Sequence, residues 1–406
     1  MTTFLYEDFA HAYMTEVGDA VRRMLTRGTE AVDLLAKATA GGGEIRAFGN
    51  GGSSAIVRSA LLQLHTQAGV PVNDAMMSPA TLAYSAQRDE YRTAFARSLA
   101  GGIGRVDLVV VASVSGRSAN ICETVGLCAE HHVPVLALVG GDGTQMESAG
   151  GMVWATGTTD QQISEDAMLT VLTLAAATAL DPGKEPLPAR AERHLHALAA
   201  VDTELLGAFL REATEAARDA IRNRRRIYVL CPDGGPLALV GEHLAHNLRW
   251  DAPLGVDGVQ PPLVVCDPSL ADMSAIYNDH PDPAHGVRHQ LSSASPEDVV
   301  FLLAYDSAGK TPREAVNAAT VAGTRPFLLH RDGPSRSGTG ARHFRLPRVD
   351  DFALAALVQS LAHLLCRTTR AALTADRSGP AGVVSTDDLM ARDLAPLREL
   401  SDTPSL

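Results

Sequence analysis

The chain of 406 residues and 42.7 kDa exceeds the usual size of one compact domain, so we expect two domains. Apolar residues make up 46% of the chain and charged residues 20%, which is enough for buried cores and excludes disorder along the whole length. The formal charge of −12 disfavours a general nucleic-acid or anionic-membrane binder. The five cysteines are scattered without a CxxC pair, so neither a disulfide framework nor a zinc knuckle is expected.

The N-terminal segment is acidic and amphipathic, unlike the basic and then apolar build of a signal peptide. No apolar run approaches the roughly 20 residues that a membrane span needs. We therefore expect a cytoplasmic protein, with neither membrane nor nucleic acid among its partners.

Three continuous apolar stretches in the first half predict strands: RAFG, LVVVAS and PVLALVG, beginning at residues 46, 108 and 134. The second half repeats the order with IYVLC, VVFLLAY and PFLLH, beginning at residues 227, 299 and 326. A helix closes each half, over 163–180 and 352–372. Apolar strands that alternate with helices indicate a parallel sheet covered on both faces. The predicted fold is therefore α/β, with two tandem, doubly wound parallel-sheet domains of flavodoxin-like type.

Composition divides the chain into four segments. We predict domain 1 over residues 1–185, a linker over 186–199, domain 2 over 200–375 and a tail over 376–406. Prolines in the stretch DPGKEPLPAR, from Asp181, cannot continue a helix, and the tail is rich in Ser, Pro and Asp.

Loops rich in Gly and Ser follow two predicted strands of the first half, GNGGSS at 49–54 and SVSGRS at 113–118. Glycines let the backbone pass close to a ligand, and the amide groups at a helix start face an anion. Ser and Gly are also common in N-caps and turns. Two such loops at neighbouring strand ends favour a phosphate site over that alternative.

These loops, followed by GGDG at 140–143, resemble the sugar isomerase (SIS) domain, and within it the sedoheptulose 7-phosphate isomerases, also called phosphoheptose isomerases. The resemblance covers residues 1–180 and, more weakly, 200–375. It implies that the serine loops hold a sugar phosphate. The implied phosphate-binding residues are Gly51, Gly52, Ser53, Ser54, Ser113, Ser115 and Ser118 in the first half, and Ser307 and Thr311 in the second.

The catalytic part of the family pattern is altered in the first half. The family places a His and a Glu, four residues apart, on the helix after the Gly-Gly turn, and binds a metal, commonly zinc, with a Gln and a His from the last helix. Here the first pair is Ser59 and Gln63, and the last helix offers Ser164 and Leu172. The first half is expected to keep the phosphate loops and to lack the acid–base groups.

The second half shows the reverse pattern. At the two helix positions it has Glu242 and His246, which share one helix face, and its last helix supplies His363. The resemblance implies that these three residues bind zinc and, with Asp279, carry the chemistry. An exposed polar helix face is the alternative for the segment that contains Glu242, His243 and His246.

Two further features of the second half carry weaker predictions. The loop DSAGKT at 306–311 is a poorer phosphate cradle, because Asp306 would repel a phosphate. His280, His285 and His289 lie in a segment rich in Pro and Asp, and form either a lid or a solvated surface.

The resemblance implies an aldose–ketose isomerase acting on sedoheptulose 7-phosphate or a similar sugar phosphate, in the biosynthesis of activated heptose or an unusual sugar. A proton would move between C1 and C2 through an enediol, with a divalent ion such as zinc and no nucleotide cofactor. In this hypothesis the first half binds the phosphate and the second half carries out the chemistry. The alternative is a non-catalytic phosphosugar-binding or scaffolding protein, which the altered ligand positions favour.

The partner and regulatory predictions follow from the same resemblance. A phosphosugar-dependent transcription regulator is disfavoured, because the segment before the first strand leaves no room for a helix-turn-helix domain. Single-domain members of the family are typically tetramers, so a tandem chain is expected to form a homodimer that restores a four-domain assembly.

Overall fold

The computed structural model describes residues 6–73, 79–89, 91–141, 143–256, 258–267, 270–280, 282–332 and 340–375, and the predicted tail lies outside them. The elements of the first half are α1 (Tyr6–Met24), α2 (Gly28–Gly41), β1 (Glu44–Gly49), α3 (Gly52–Ala68), β2 (Val72–Asn73), α4 (Pro79–Asp89), α5 (Ala94–Ala100), β3 (Val106–Ser113), α6 (Ala119–Glu130), β4 (Val135–Val139), α7 (Thr144–Ser148), β5 (Met152–Ala155) and α8 (Gln161–Leu180). Those of the second half are α9 (Leu187–Ala199), α10 (Thr203–Arg222), β6 (Arg226–Leu230), α11 (Pro236–His246), β7 (Leu263–Val265), α12 (Leu270–Asp279), α13 (Ala284–Leu291), β8 (Val299–Asp306), α14 (Lys310–Val321), β9 (Phe327–Asp332), β10 (Arg342–Arg345) and α15 (Asp351–Ala375).

The chain forms two compact units. The N-terminal unit contains residues 15–196, and the C-terminal unit contains the described parts of residues 1–14 and 197–406. Helix α1 contributes its first residues to the C-terminal unit and its remainder to the N-terminal unit. The predicted linker, 186–199, is mostly the helix α9, which begins directly after Pro186. Proline is tolerated at the start of a helix, so the prolines of this segment end α8 without preventing α9.

The sheet of the N-terminal unit has five parallel strands in the order β2-β1-β3-β4-β5. Its central strands are buried along almost their entire length, which explains their continuous apolar sequences. Phe48 and Phe95 pack with ring centroids 5.2 Å apart in the core on one face of the sheet. Helix α8 begins at Asp160, whose side chain accepts a hydrogen bond of 2.9 Å from the N–H of Ile163.

The sheet of the C-terminal unit has the order β10-β9-β8-β6-β7, again with all strands parallel. In chain order this is the same topology as in the first sheet, with β6 to β10 in the places of β1 to β5. The structure therefore confirms the predicted fold class, and the matching strand order agrees with the internal repeat seen in the sequence.

The six strands predicted from apolar stretches are all present, but each sheet has two more strands than that prediction contained. The additional strands are β2, β5, β7 and β10, of two to four residues each. Strands β2 and β7 pair with β1 and β6, and β5 and β10 pair with β4 and β9. All four are edge strands. An edge strand is paired on one side only, so it needs no long apolar run, and these segments carry too few residues for a periodic pattern.

Helices α8 and α15 are long and apolar enough to cross a membrane by length and composition, with mean hydropathy of 1.4 and 1.2 over the best window. In the structure these windows are 89% and 100% buried. Both are the closing helices predicted from the sequence, and their burial is that of core helices in a soluble fold.

Candidate functional site

Two loops begin side by side at the carboxyl edge of the first sheet. Strands β1 and β3 are parallel neighbours, and Gly49 at the end of β1 is paired with Ala112 in β3. The loop after β1 turns at Gly51, which has φ of 50°, and opens α3. The loop after β3 turns at Gly116, which has φ of 63°, and leads into α6. The predicted convergence of the two loops is therefore present.

The first loop is closely folded on itself. A Cβ atom on Gly49 would lie 2.6 Å from the carbonyl oxygen of Ser53, a distance that side-chain carbons do not adopt. The N–H and the hydroxyl of Ser54 both donate to the carbonyl of Gly51, at 3.1 and 2.8 Å. Glycine at position 49 is thus required for the chain to return over the strand end and start α3.

The serines of the two loops differ in exposure. Ser53 and Ser113 are buried, and the hydroxyl of Ser113 lies 3.0 Å from that of Ser118. Ser115 is exposed, and its hydroxyl accepts a hydrogen bond of 3.2 Å from the N–H of Arg117. Ser118 is the N-cap of α6 but makes no side-chain capping bond, so its hydroxyl is turned to Ser113. The loop after β3 therefore has a buried hydroxyl at Ser113 and an exposed hydroxyl at Ser115.

A polar cluster connects the two loops. The side-chain amides of Asn50 and Asn120 donate to each other's oxygen, at 3.0 and 2.8 Å. The hydroxyl of Tyr91 donates to the oxygen of Asn50 at 2.5 Å. Burial raises the pKa of Tyr91, which keeps this hydroxyl protonated and able to donate. The positions of the loop after β1 and the start of α6 are thereby fixed relative to each other.

The edge carries positive electrostatic potential from two helices. The first amide groups of α3 and α6 have no partner within their own helices, and the N-terminus of a helix has a partial positive charge. Both helices are longer than ten residues and start at this edge. Amides, hydroxyls and helix dipoles together suit a phosphate group.

In the C-terminal unit the corresponding loops are occupied by side chains of the chain itself. The hydroxyl of Tyr305 accepts from the N–H of Leu237 in the first turn of α11, at 3.5 Å. The carboxylate of Asp233 accepts from the N–H of Tyr305 at 2.9 Å. Pro236 opens α11 and removes one more amide donor. Burial, together with the neighbouring Asp306, raises the pKa of Asp233.

The second loop of this unit is closed in the same way. The carboxylate of Asp306 accepts from the N–H of Ala308 at 2.8 Å. The N–H and hydroxyl of Ser307 both donate to the carbonyl of Asp332, at 3.0 and 3.3 Å, so Ser307 faces the neighbouring strand. The ammonium of Lys310 pairs with Asp282 at 3.1 Å. Carboxylates thus lie in the loops that correspond to the Ser-rich loops of the first unit, and Thr311 follows on α14.

A family model described as "SIS domain" matches residues 6–140. This segment is similar to the SIS domain. This match contains both loops of the N-terminal unit, and the second sheet repeats its strand order, so the fold is that of two SIS domains in tandem. No curated protein sequence matches the chain.

Solved structures share the tandem fold at low sequence identity. The C-terminal domain of glucosamine-fructose-6-phosphate aminotransferase from Francisella tularensis is 13% identical, with a TM-score of 0.58 over 91% of this chain and 96% of that one. Tagatose-6-phosphate ketose/aldose isomerase from Escherichia coli is also 13% identical, with a TM-score of 0.57 over 92% and 96%. A phosphoheptose isomerase from Francisella tularensis is 20% identical over 45% of this chain and 100% of its own, with a TM-score of 0.40. These likenesses establish the fold alone.

In the N-terminal SIS domain, the residues at the positions of the family's metal ligands are buried. Ser59 and Gln63 lie on α3, and the side-chain oxygen of Gln63 has no hydrogen-bond partner within the described residues. The hydroxyl of Ser164 donates to the carbonyl of Thr158 at 3.0 Å. Serine hydroxyls are poor ligands for zinc, so Ser59 and Ser164 are not candidates for holding it.

In the C-terminal SIS domain, the structure brings His363 together with His243. The Nε2 atoms of the two rings are 3.5 Å apart, and the rings meet edge to face at 4.9 Å between centroids. Both residues are buried: His243 is 3% exposed and His363 is 0% exposed. The Nδ1 atom of His243 lies 3.2 Å from the side-chain oxygen of Gln359, also on α15. If Nδ1–H donates there, the lone pair of His243 is on Nε2 and faces His363.

Glu242 and His246, also expected at this centre, lie on the same helix as His243. Glu242 is exposed, and its charge contributes to raising the pKa of Cys231, Cys266 and Asp267, for each of which burial is the main cause. Successive residues of a helix point about 100° apart, so Glu242 and His243 lie on different sides of α11. The side chain of His246 is half-buried one turn further on.

Asp279 is exposed at the end of α12 and accepts from the side-chain amide of Asn278 at 2.8 Å. Its role, like those of Glu242 and His246, stays a prediction. The sequence placed His243 only in the alternative of an exposed polar helix face. Its burial against α15 shows that this alternative is wrong for His243. Its proximity to His363 has no signal in the sequence, because it depends on how α11 and α15 pack.

The buried pair fits part of a zinc site. Zinc binds histidine nitrogen at about 2.0–2.1 Å, so two nitrogens of one tetrahedral ion lie about 3.4 Å apart. The observed separation of 3.5 Å between the Nε2 atoms agrees with this distance. Gln359 would supply the hydrogen bond that usually orients a metal-bound imidazole. The residues present therefore fit two of the ligands of such an ion.

Proposed function

We propose that the N-terminal SIS domain binds a phosphorylated sugar, with the phosphate held between the loops at 49–54 and 113–118. The observation that carries this proposal is the pairing of Gly49 with Ala112, which starts both loops at one edge beneath the N-termini of two long helices. The contrast with the C-terminal SIS domain supports it, because Asp233 and Asp306 accept hydrogen bonds from the loop amides there.

Isothermal titration with sedoheptulose 7-phosphate and with inorganic phosphate tests this proposal. Ser115→Ala removes an exposed hydroxyl from the outer end of the second loop, and Ser53→Ala removes one at the start of α3. A hydrogen bond to a charged group contributes about 1.5–3 kcal/mol, so each change should weaken binding about tenfold to a hundredfold. Ser148→Ala is the matched control, since Ser148 is exposed on α7 and donates only to the carbonyl of Thr144. Unchanged affinity in the Ser53→Ala/Ser115→Ala double variant would refute the phosphate site.

The second candidate is aldose–ketose isomerisation of sedoheptulose 7-phosphate or a similar sugar phosphate. The buried imidazoles of His243 and His363 favour it, because buried ionisable groups that face each other are common at catalytic centres. A zinc ion held by these two residues would polarise the oxygens at C1 and C2. Gln359 would then orient His243, while the group that removes the proton from C1 of the ketose and returns it to C2 is proposed to be Glu242 or His246.

Proton exchange separates the two candidates. The zinc-supplemented protein is incubated with sedoheptulose 7-phosphate in heavy water, and the C1 and C2 signals are followed by NMR. Isomerase chemistry predicts exchange next to the carbonyl and an aldose phosphate product, both lost in His363→Ala. Binding without exchange would refute the isomerase and leave the phosphosugar-binding or scaffolding function. The cytoplasmic location and the homodimer stay predictions, and sedimentation analysis tests the latter.

A further inference from the structure

Tyr91 is an exposed aromatic residue at the edge where the two loops of the N-terminal SIS domain meet. The residue is 42% exposed, and its hydroxyl donates to the side-chain oxygen of Asn50 in the first loop at 2.5 Å. The same oxygen accepts from the side-chain amide of Asn120, in the first turn of α6, at 2.8 Å. The hydroxyl of Tyr91 therefore reaches the contact that joins the loop after β1 to the helix after β3.

This contact lies where the strand order of the sheet reverses. From β1 the chain passes to β2 on one side, and it then returns to β3 on the other side. In open parallel sheets ligands bind in the crevice at the carboxyl ends of two such strands. The loops at 49–54 and 113–118 border this crevice, so Tyr91 lies beside the position proposed for the phosphate.

The ring of Tyr91 is held from the core of the domain. Phe48 on β1 packs against Phe95 on α5 with ring centroids 5.2 Å apart, and Phe95 meets the ring of Tyr91 edge to face at 6.1 Å. The guanidinium of Arg92 donates to the carboxylate of Glu123 on α6 at 2.8 Å, which ties the single turn Tyr91–Thr93 to that helix. The exposed part of the ring is therefore positioned before any ligand binds, which lowers the entropic cost of a contact with it.

The exposed ring supplies a surface that the two loops lack. The loops offer amides and hydroxyls, which suit a phosphate group. The carbon chain of a sugar also presents C–H groups, and small-molecule sites commonly combine aromatic surface with a few polar groups in fixed positions. Tyrosine provides such a surface at low entropic cost, because only two side-chain torsions have to be fixed.

We propose that Tyr91 is a specificity-determining residue of the N-terminal SIS domain, whose ring packs against the carbon chain of a bound sugar phosphate. The proposal rests on the phosphosugar binding proposed for the same loops. The loops hold the phosphate, and the ring favours a phosphate that carries a carbon chain over inorganic phosphate. The hydrogen bond to Asn50 keeps the ring next to the crevice. A contact of this kind corresponds to about tenfold in affinity.

Two variants and two ligands test the role of the ring. Tyr91→Phe and Tyr91→Ala both lack the hydroxyl, so a difference between them reports the ring alone. Isothermal titration gives the affinity of each variant for sedoheptulose 7-phosphate and for inorganic phosphate. Trp250→Ala is the control for the loss of an exposed aromatic ring, because Trp250 is 53% exposed in the C-terminal SIS domain. Thermal unfolding shows whether each variant is folded, and Tyr91→Leu takes the place of Tyr91→Ala if the latter is unfolded.

The affinity for sedoheptulose 7-phosphate should be about tenfold lower in Tyr91→Ala than in Tyr91→Phe, while the two variants bind inorganic phosphate equally. Trp250→Ala should bind both ligands as wild type does. If wild type binds the sugar phosphate and the two Tyr91 variants bind it equally, the role of the ring is overturned and the phosphate site stands. An equal loss of both ligands in Tyr91→Ala would also overturn it, because that pattern marks a purely structural role. Binding of neither ligand by wild type would refute the phosphosugar site itself, and this proposal with it.

Discussion

Adding one methyl group at Gly49 should disturb both the stability and the ligand affinity of the N-terminal SIS domain. The new Cβ atom would lie 2.6 Å from the carbonyl oxygen of Ser53 and 2.8 Å from the N–H nitrogen of Ser54, and ordinary contacts begin at 3.4 Å. These are backbone atoms of the first turn of α3, so no side chain can rotate away to relieve the contact. The start of α3 must move by about 0.8 Å.

The expected size of the effect follows from this displacement. Overpacking in a folded core costs about 1–3 kcal/mol, so Gly49→Ala should lower the free energy of unfolding by that amount. A displacement of about 1 Å in a binding site can reduce its efficiency about a hundredfold, so the affinity for a sugar phosphate should fall at least tenfold. Both effects come from one contact.

Gly126→Ala is the matched control for Gly49→Ala. Gly126 lies within α6, and a Cβ atom there would have no neighbour within 4 Å. Alanine is favoured over glycine in a helix by about 0.5–1 kcal/mol, so this variant should be more stable than wild type, with unchanged affinity. Calorimetry of unfolding and titration with sedoheptulose 7-phosphate measure the two quantities. Equal stability and affinity in Gly49→Ala and wild type would show that the loop is not constrained as described.

Two further substitutions test the loops of each domain. Asn120 is 3% exposed, and Asn120→Ala removes its paired amide contacts with Asn50. The free energy of unfolding in urea should fall by about 1–3 kcal/mol, and the affinity for a phosphosugar should fall with it. Wild-type values for both quantities would contradict the role of this pair. The raised pKa of Asp233 means that its stabilising contribution is complete below the unfolded pKa of about 3.9 and is lost as pH rises through the folded pKa. Asp233→Asn should therefore raise the urea midpoint at pH 7 but not at pH 3, and an equal shift at both pH values would exclude ionisation as the cause.

The architecture was accessible from the sequence because its central strands are buried on both faces. β3, β4 and β8 are predominantly apolar runs, and α8 and α15 are long, mostly apolar helices that are buried over nearly their whole length. These patterns are set by burial alone and identify each element without knowledge of its neighbours. The edge strands carry no such pattern, since their pairing depends on the position of the adjacent strand.

Only the part of the candidate site that depends on backbone geometry could be predicted from the sequence. Gly49 and Gly51 mark the loop after β1 because no other residue fits their contacts or dihedral angles. The partner of His363 could not be predicted, because a shift of one residue along α11 separates Glu242 from His243 and changes the helix face by about 100°. Which face meets α15 is decided by packing over the whole domain.

The hydroxyl of Tyr305 at the start of α11 gives the two halves of the chain different dependences on their surroundings. In the C-terminal domain, side chains of the chain itself accept from amides of the strand-end loops. At the helix starts of the N-terminal domain, Ser54 and Ile121 donate within the protein, and the remaining amides are left to water or to an anion. A ligand that binds only the folded state stabilises it by about 2.7 kcal/mol at one hundred times its Kd. Heating the chain with a phosphosugar should therefore delay the melting of the N-terminal domain.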